Sequence, residues 1–216
     1  MTITYTSQSN LTIQGTAFTG DAGDCIVFDS CTNITVRRCH FTASAGVGLK
    51  FNSCAGTILI ENCYFDDLNG GIYLFNTTAT LTVRENHCGD VARAGKLDGS
   101  RGQFIQANAC TLAGGLITDN YVRFDEGGGD KEDHISMFDT SGTSGSPLVI
   151  SNNWLRGRHT STSGGCILVG EGDGNYIHIL TNTIINPGVA GVAVAGGAFN
   201  VVDGNLMYSE TFSTND

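Results

Sequence analysis

A nine-residue pattern returns eight times along this chain, and few folds can accommodate such a return. It reads NLTIQGTAF (10–18), NITVRRCHF (33–41), TILIENCYF (57–65), TLTVRENHC (80–88), GGLITDNYV (114–122), PLVISNNWL (147–155), YIHILTNTI (176–184) and FNVVDGNLM (199–207). A shorter pattern lies between the copies: CIVFDSC (25–31), GLKFNSC (48–54), GIYLFNT (71–77), QFIQANA (103–109), HISMFDT (134–140), CILVGEG (166–172) and GVAVAGG (191–197). Both alternate apolar and polar residues with a period of two, which is how a strand with one buried face reads.

Aligned on one another, the copies form columns. The fourth place of the long pattern is Ile13, Val36, Ile60, Val83, Ile117, Ile150, Ile179 and Val202, always a branched aliphatic. The seventh is Thr16, Cys39, Cys63, then asparagine at 86, 120, 153, 182 and 205. Side chains of one kind repeated at the strand spacing of ~4.8 Å can hydrogen-bond to their own copies above and below. The repeat therefore predicts an all-β solenoid, a parallel β-helix of about seven coils over 10–208, with 1–9 as a lead-in and 209–216 as a tail. Its length, 216 residues, suits one domain, and 30 glycines, roughly twice the usual share, anticipate many tight turns.

The periodicity and the xIxIxxNxF pattern resemble the right-handed parallel β-helix of the pectate-lyase-like superfamily across essentially residues 10–208. That resemblance, with the handedness rule for parallel crossovers, implies the right-handed form. It also implies extended sugar chains as ligands, held in a trough along the coils.

In this architecture cysteines that share a column, Cys39 with Cys63 and Cys31 with Cys54, are read as stacked buried thiols and not as disulfides. A net charge of −10 argues against a nucleic-acid backbone as partner. No apolar run is long enough to span a bilayer. The start, MTITYTSQSN, lacks the basic and apolar regions of a secretory signal. An extracellular, cell-surface or virion setting is expected, with a signal already removed or another route of release.

Insertions in a solenoid collect on one face, often the binding face. Turns from the long strand to the next short one are five or six residues in the early coils, then GDVARAGKLDGSRG (89–102), RFDEGGGDKED (123–133) and RGRHTSTSGG (156–165) in coils four to six. The adjoining first place of the short strand, read as its outer face, is Cys25, Gly48, Gly71, Gln103, His134, Cys166 and Gly191. A polysaccharide trough is expected here, with His134, His159 and Asp133 as catalytic candidates. Lys96, Asp98, Arg101, Gln103, Arg158, Glu171 and Asp173 are the candidate sugar-binding residues. Trp154 is read as a corner residue, with sugar stacking as its alternative.

Three chemistries are open. A lyase acting on an acidic polysaccharide needs a base beside the carboxylate and a cation for the developing enolate. His134 or His159 would be the base, Arg158, Arg101 and Lys96 the clamps, and Asp130 with Glu132 ligands for calcium. The stretch EDHISMFDTSGTSGSPLVISNNWL is similar to the segment carrying the catalytic lysine of alginate lyases of the chondroitinase B type, with Phe138 and Asp139 at the matching places. A glycoside hydrolase resembling polygalacturonases would draw on Asp98, Asp130, Asp133 and His159 from successive coils. The third reading is a non-catalytic glycan-binding or structural β-helix. Its open ends would then be covered by other copies or by a larger assembly such as a phage-like spike.

Overall fold

The computed structural model describes residues 1–19, 22–89, 91, 102–124, 132–157 and 164–210. Period-two alternation becomes strand throughout, and every named strand pairs in parallel with its counterpart in the next coil. Three sheets result. The first holds the short strands, for example Ile26–Asp29, Ile105–Thr111 and Ile135–Ser141. The second holds Thr32–Arg37, Leu148–Ser151 and their equivalents, and the third holds Tyr121–Arg123, Trp154–Arg156 and theirs. The chain winds as a right-handed parallel β-helix.

The solenoid begins one strand earlier than the repeat suggested. Ile3–Thr6, inside the expected lead-in, pairs in register with Ile26–Asp29 and is the short strand of a first coil. The long-loop coils are thus coils five to seven of eight.

Columns form where side chains alternate across each strand. On the first sheet Ile26, Leu49, Ile72, Ile105, Ile135 and Ile167 point inward in register, all essentially inaccessible to solvent. Aromatic rings stack likewise: Phe28 on Phe51 at 5.0 Å, and Phe18, Phe41 and Phe65 at successive distances of 5.1 Å. Such offset parallel stacks add to the burial of the rings themselves. All eight cysteines are free and buried, as the column argument required. The Cys63 thiol donates to the carbonyls of Glu61 and Val36, one in its own coil and one in the coil before.

Corners are made differently from what the glycine content suggested. One residue in the left-handed region recurs between the first and second sheets in successive coils, at Ser7, Ser30, Ser53, Asn76, Ala109 and Asp139. A single residue of this kind bends a strand sharply. Much of the glycine serves close approach: a Cβ on Gly71 would lie 2.5 Å from the Phe104 carbonyl oxygen of the coil above. In two of the coils without insertions the third sheet runs straight into the first as one strand, His40–Asn52 and Tyr64–Phe75.

At the far end the columns are left open. Val202 and Met207 occupy inward places yet are about half exposed, because the eighth coil has no described coil above it.

Candidate functional site

The in-register pairs fix which first-sheet side chains face solvent. One outward column is Val27, Lys50, Tyr73, Gln106, Ser136 and Leu168; the next is Asp29, Asn52, Phe75, Asn108 and Phe138. The first place of the short strand, expected to face outward, turns inward instead. In coil five the register is also offset by one: Ile105, not Phe104, pairs with Ile72.

This corrects the reading of His134. It takes the inward corner place, fully buried, with its ring stacked on Phe124 at 4.2 Å and 10°. Its Nε2 donates to the Arg156 carbonyl at 3.0 Å. A ring so enclosed packs the corner beneath the third sheet and is not presented to a ligand as an acid or base.

Above the outward columns lies an open trough of about 310 Å³. Gln106, Asn108, Ser136, Phe138 and Leu168 form its floor, while Gln103, Glu132, Asp133 and Glu171 stand around it. Of the expected site residues, Gln103, Glu132, Asp133 and Glu171 come together here. Gln103 reaches it from two residues before the short strand, where its carbonyl accepts the Gly71 N–H at 2.9 Å. Asp173 lies in the exposed turn Glu171–Asp173 but does not line the trough. Lys96, Asp98, Arg101, Asp130, Arg158 and His159 lie outside the described residues.

The floor residues were missed because they occupy the outward places of a strand read in the opposite phase. The signal was available: Ile105, Ile135 and Ile167 are the consistent aliphatic column, so the residue after each must face out.

Asp133 is the most perturbed acid of the site. It is buried, and its Oδ1 accepts the Gly165 N–H at 2.6 Å. Burial pushes its carboxyl up to about 6, against the opposing hydrogen bond from Gly165, and the neighbouring Glu132 and Glu171 push in the same direction as burial. A carboxylic acid of this kind can hold a proton in weakly acidic solution and give it to a bound group. Among the described residues no group of three or more histidine, cysteine and acidic side chains is arranged to hold a metal ion. Asp130, half of the expected calcium pair, lies outside them.

Trp154 takes the corner place, and one face of its ring stacks on Tyr121 at 4.3 Å and 4°. It belongs to an outer ladder in which His40, Tyr64, His87, Tyr121 and Trp154 follow one another across five coils.

A model of the right-handed β-helix region matches residues 2–207, nearly the whole chain. The chain belongs to the right-handed β-helix family. No curated protein matches this β-helix. Among solved structures it is similar to two trypsin-treated variants of QnrB1, a plasmid-mediated fluoroquinolone resistance protein. Identities are 11% and 10%, with 96% and 95% of this β-helix and 92% and 90% of those chains covered. TM-scores of 0.25 and 0.21 carry no argument about function. Among the described residues no helix is long and apolar enough to cross a membrane.

Proposed function

We propose that this β-helix holds an extended polysaccharide on the outer face of its first sheet, across coils five to seven, in an extracellular, cell-surface or virion setting. The observation that carries the reading is the composition of the trough. Amides of Gln103, Gln106 and Asn108, the Ser136 hydroxyl and the carboxyls of Glu132, Asp133 and Glu171 surround the apolar surfaces of Phe138 and Leu168. Sugars present both hydroxyl donors and acceptors around apolar C–H faces, so amides, acids and a ring on a flat floor suit them chemically.

Cleavage of the bound chain is a second reading, favoured by Asp133. With its carboxyl protonated, Asp133 would give a proton to a glycosidic oxygen as the bond to the sugar breaks. Glu132 or Glu171 would take the proton of the attacking water, so that the acid and base exchange roles of charge as in glycoside hydrolysis. Elimination from an acidic sugar would instead rest on His159 as base, with Lys96, Arg101 and Arg158 as clamps and calcium at Asp130 and Glu132.

One experiment separates these readings. The protein is incubated with a panel of acidic and neutral polysaccharides, with and without calcium, following ultraviolet absorbance, new reducing ends and retention on the polymer together. Retention by at least one polymer is expected. New reducing ends lost in Asp133→Asn assign hydrolysis, new ultraviolet absorbance assigns elimination, and retention alone assigns a binding module. If no polymer retains the protein, the reading fails.

A further inference from the structure

The outward column Asn52, Phe75, Asn108, Phe138 alternates amide and ring over four successive coils. Phe75 and Phe138 are 44% and 40% exposed. The other eight described phenylalanines each lie against another aromatic ring, six of them within the stacks that fill the core. Among the described residues no ring contact engages Phe75 or Phe138. On the same sheet the Tyr73 ring is already taken, with the Lys50 ammonium 5.7 Å from its centroid. Exposed phenylalanine in the middle of an otherwise polar face costs solubility and needs a reason.

Spacing supplies one. Phe75 and Phe138 are two strands apart in one column, roughly 9–10 Å at the strand spacing of a sheet. A sugar chain lying across the strands would advance close to one strand spacing, ~4.8 Å, per ring. If its linkages are equatorial and β-1,4, each sugar is turned over relative to the next, so every second sugar offers the same C–H face. Alternate sugars would then rest on Phe75 and Phe138, while the sugar between them offers its hydroxyls to Asn108 and the next to Asn52. α-1,4-linked glucans curve and lose this register within a few units, and in α-1,4-linked galacturonan the diaxial linkages do not present flat equatorial rings to the sheet.

We infer that Phe75 and Phe138 are paired stacking subsites for alternate sugars of an equatorially β-1,4-linked glycan running along the helix axis, with Asn108 binding the sugar between them. The inference rests on the glycan reading above and extends the binding surface one coil toward the N-terminus, beyond the trough itself.

Affinity electrophoresis tests it, with gels containing hydroxyethylcellulose (a soluble β-1,4-glucan), soluble starch (α-1,4) or polygalacturonate (α-1,4, acidic). Retention is expected in the β-1,4-glucan gel and not in the starch gel. Phe75→Ala and Phe138→Ala should each weaken it roughly five- to tenfold, with a larger loss in the double variant, while Phe75→Tyr and Phe138→Tyr keep it. Equal retention by the α-linked polymers, or alanine variants that bind like the parent, overturns the inference and leaves the glycan reading standing. Retention by no polymer defeats that reading and the inference with it. Self-association of the parent that disappears in the double variant, measured by sedimentation, assigns the two rings to a protein contact and also overturns the inference.

Discussion

Asn120 gives both its backbone N–H and its side-chain amide to one atom, Oδ1 of Asn153, at 3.1 and 2.9 Å. Asn153 repeats the arrangement on Asn182, and Asn182 on Asn205. Each side-chain amide also reaches a carbonyl of the preceding coil, as Asn153 does to Ile117 at 2.9 Å. The ladder thus satisfies the polar backbone of a buried corner that no strand partner could reach.

Removing the Asn153 side chain takes the acceptor from the buried Asn120 N–H and a donor from the Ile117 and Ser151 carbonyls. Asn153→Ala should therefore destabilise the fold by about 3 kcal/mol, more than an ordinary lost hydrogen bond. Urea unfolding reads this directly. A loss under about 1 kcal/mol would mean that water replaces the amide at the corner.

Stability should fall as pH rises from about 4 to about 6. In the unfolded chain Asp133 loses its proton near the ordinary aspartate value of 3.8, whereas in the fold it keeps the proton up to about 6. Below the first value both states are protonated and the group contributes no pH dependence. Above the second, the buried charge costs on the order of 2–3 kcal/mol. Asp133→Asn should remove this slope and be the more stable protein at pH 7, as followed by thermal melts across the range. A parent with no slope in that interval contradicts the placement of Asp133.

Thiol chemistry should be silent in the native protein. Burial pushes Cys63 and Cys166 up to about 12 and Cys54 up to about 11, so these three carry almost no thiolate at pH 8, and the remaining five are shielded by burial. A thiol-reactive dye should label few of the eight cysteines until denaturant is added, then all of them. Rapid native labelling of one site would mark a coil that opens locally.

His134→Ala should lower stability by about 2–4 kcal/mol, since it opens a cavity against Phe124 and removes one of the two donors to the Arg156 carbonyl, the other being the Phe124 N–H. His134→Phe should restore most of the packing but not the hydrogen bond. Any loss of activity or binding in these variants is expected to follow the unfolded fraction. A fully folded variant with lost chemistry would return His134 to the site.

Trp154 is the sole tryptophan, so its fluorescence reports the outer ladder. Tyr121→Ala should shift its emission to the red by exposing a ring face now covered at 4.3 Å. Binding of a glycan to the first sheet should leave the emission unchanged, because the tryptophan stands on the third.

How much of this was legible beforehand differs by feature. The aliphatic column through Ile13, Val36 and Ile60, the asparagine ladder and the stacked cysteines are all legible in the sequence, because a solenoid sets each residue beside its equivalent one repeat away. Residue type alone then decided what each column could do. The first short strand was harder to see, since Ile3–Thr6 carries only a four-residue pattern and depends on pairing with Ile26–Asp29.

Phase on the first sheet was decided by tertiary structure. A one-residue shift turns every side chain of a strand to the opposite face, and near the insertions the corner residues Phe104, His134 and Cys166 are buried beside the inward column and not opposite it. That geometry moved His134 into the core and brought Gln106, Asn108 and Phe138 to the surface. It also buried Asp133 against the Gly165 amide, which no spacing in the sequence reveals. Sequence determined the solenoid because its stacking is local and periodic; the site depends on how three insertions break that period, and only the folded corner settles which way each side chain turns.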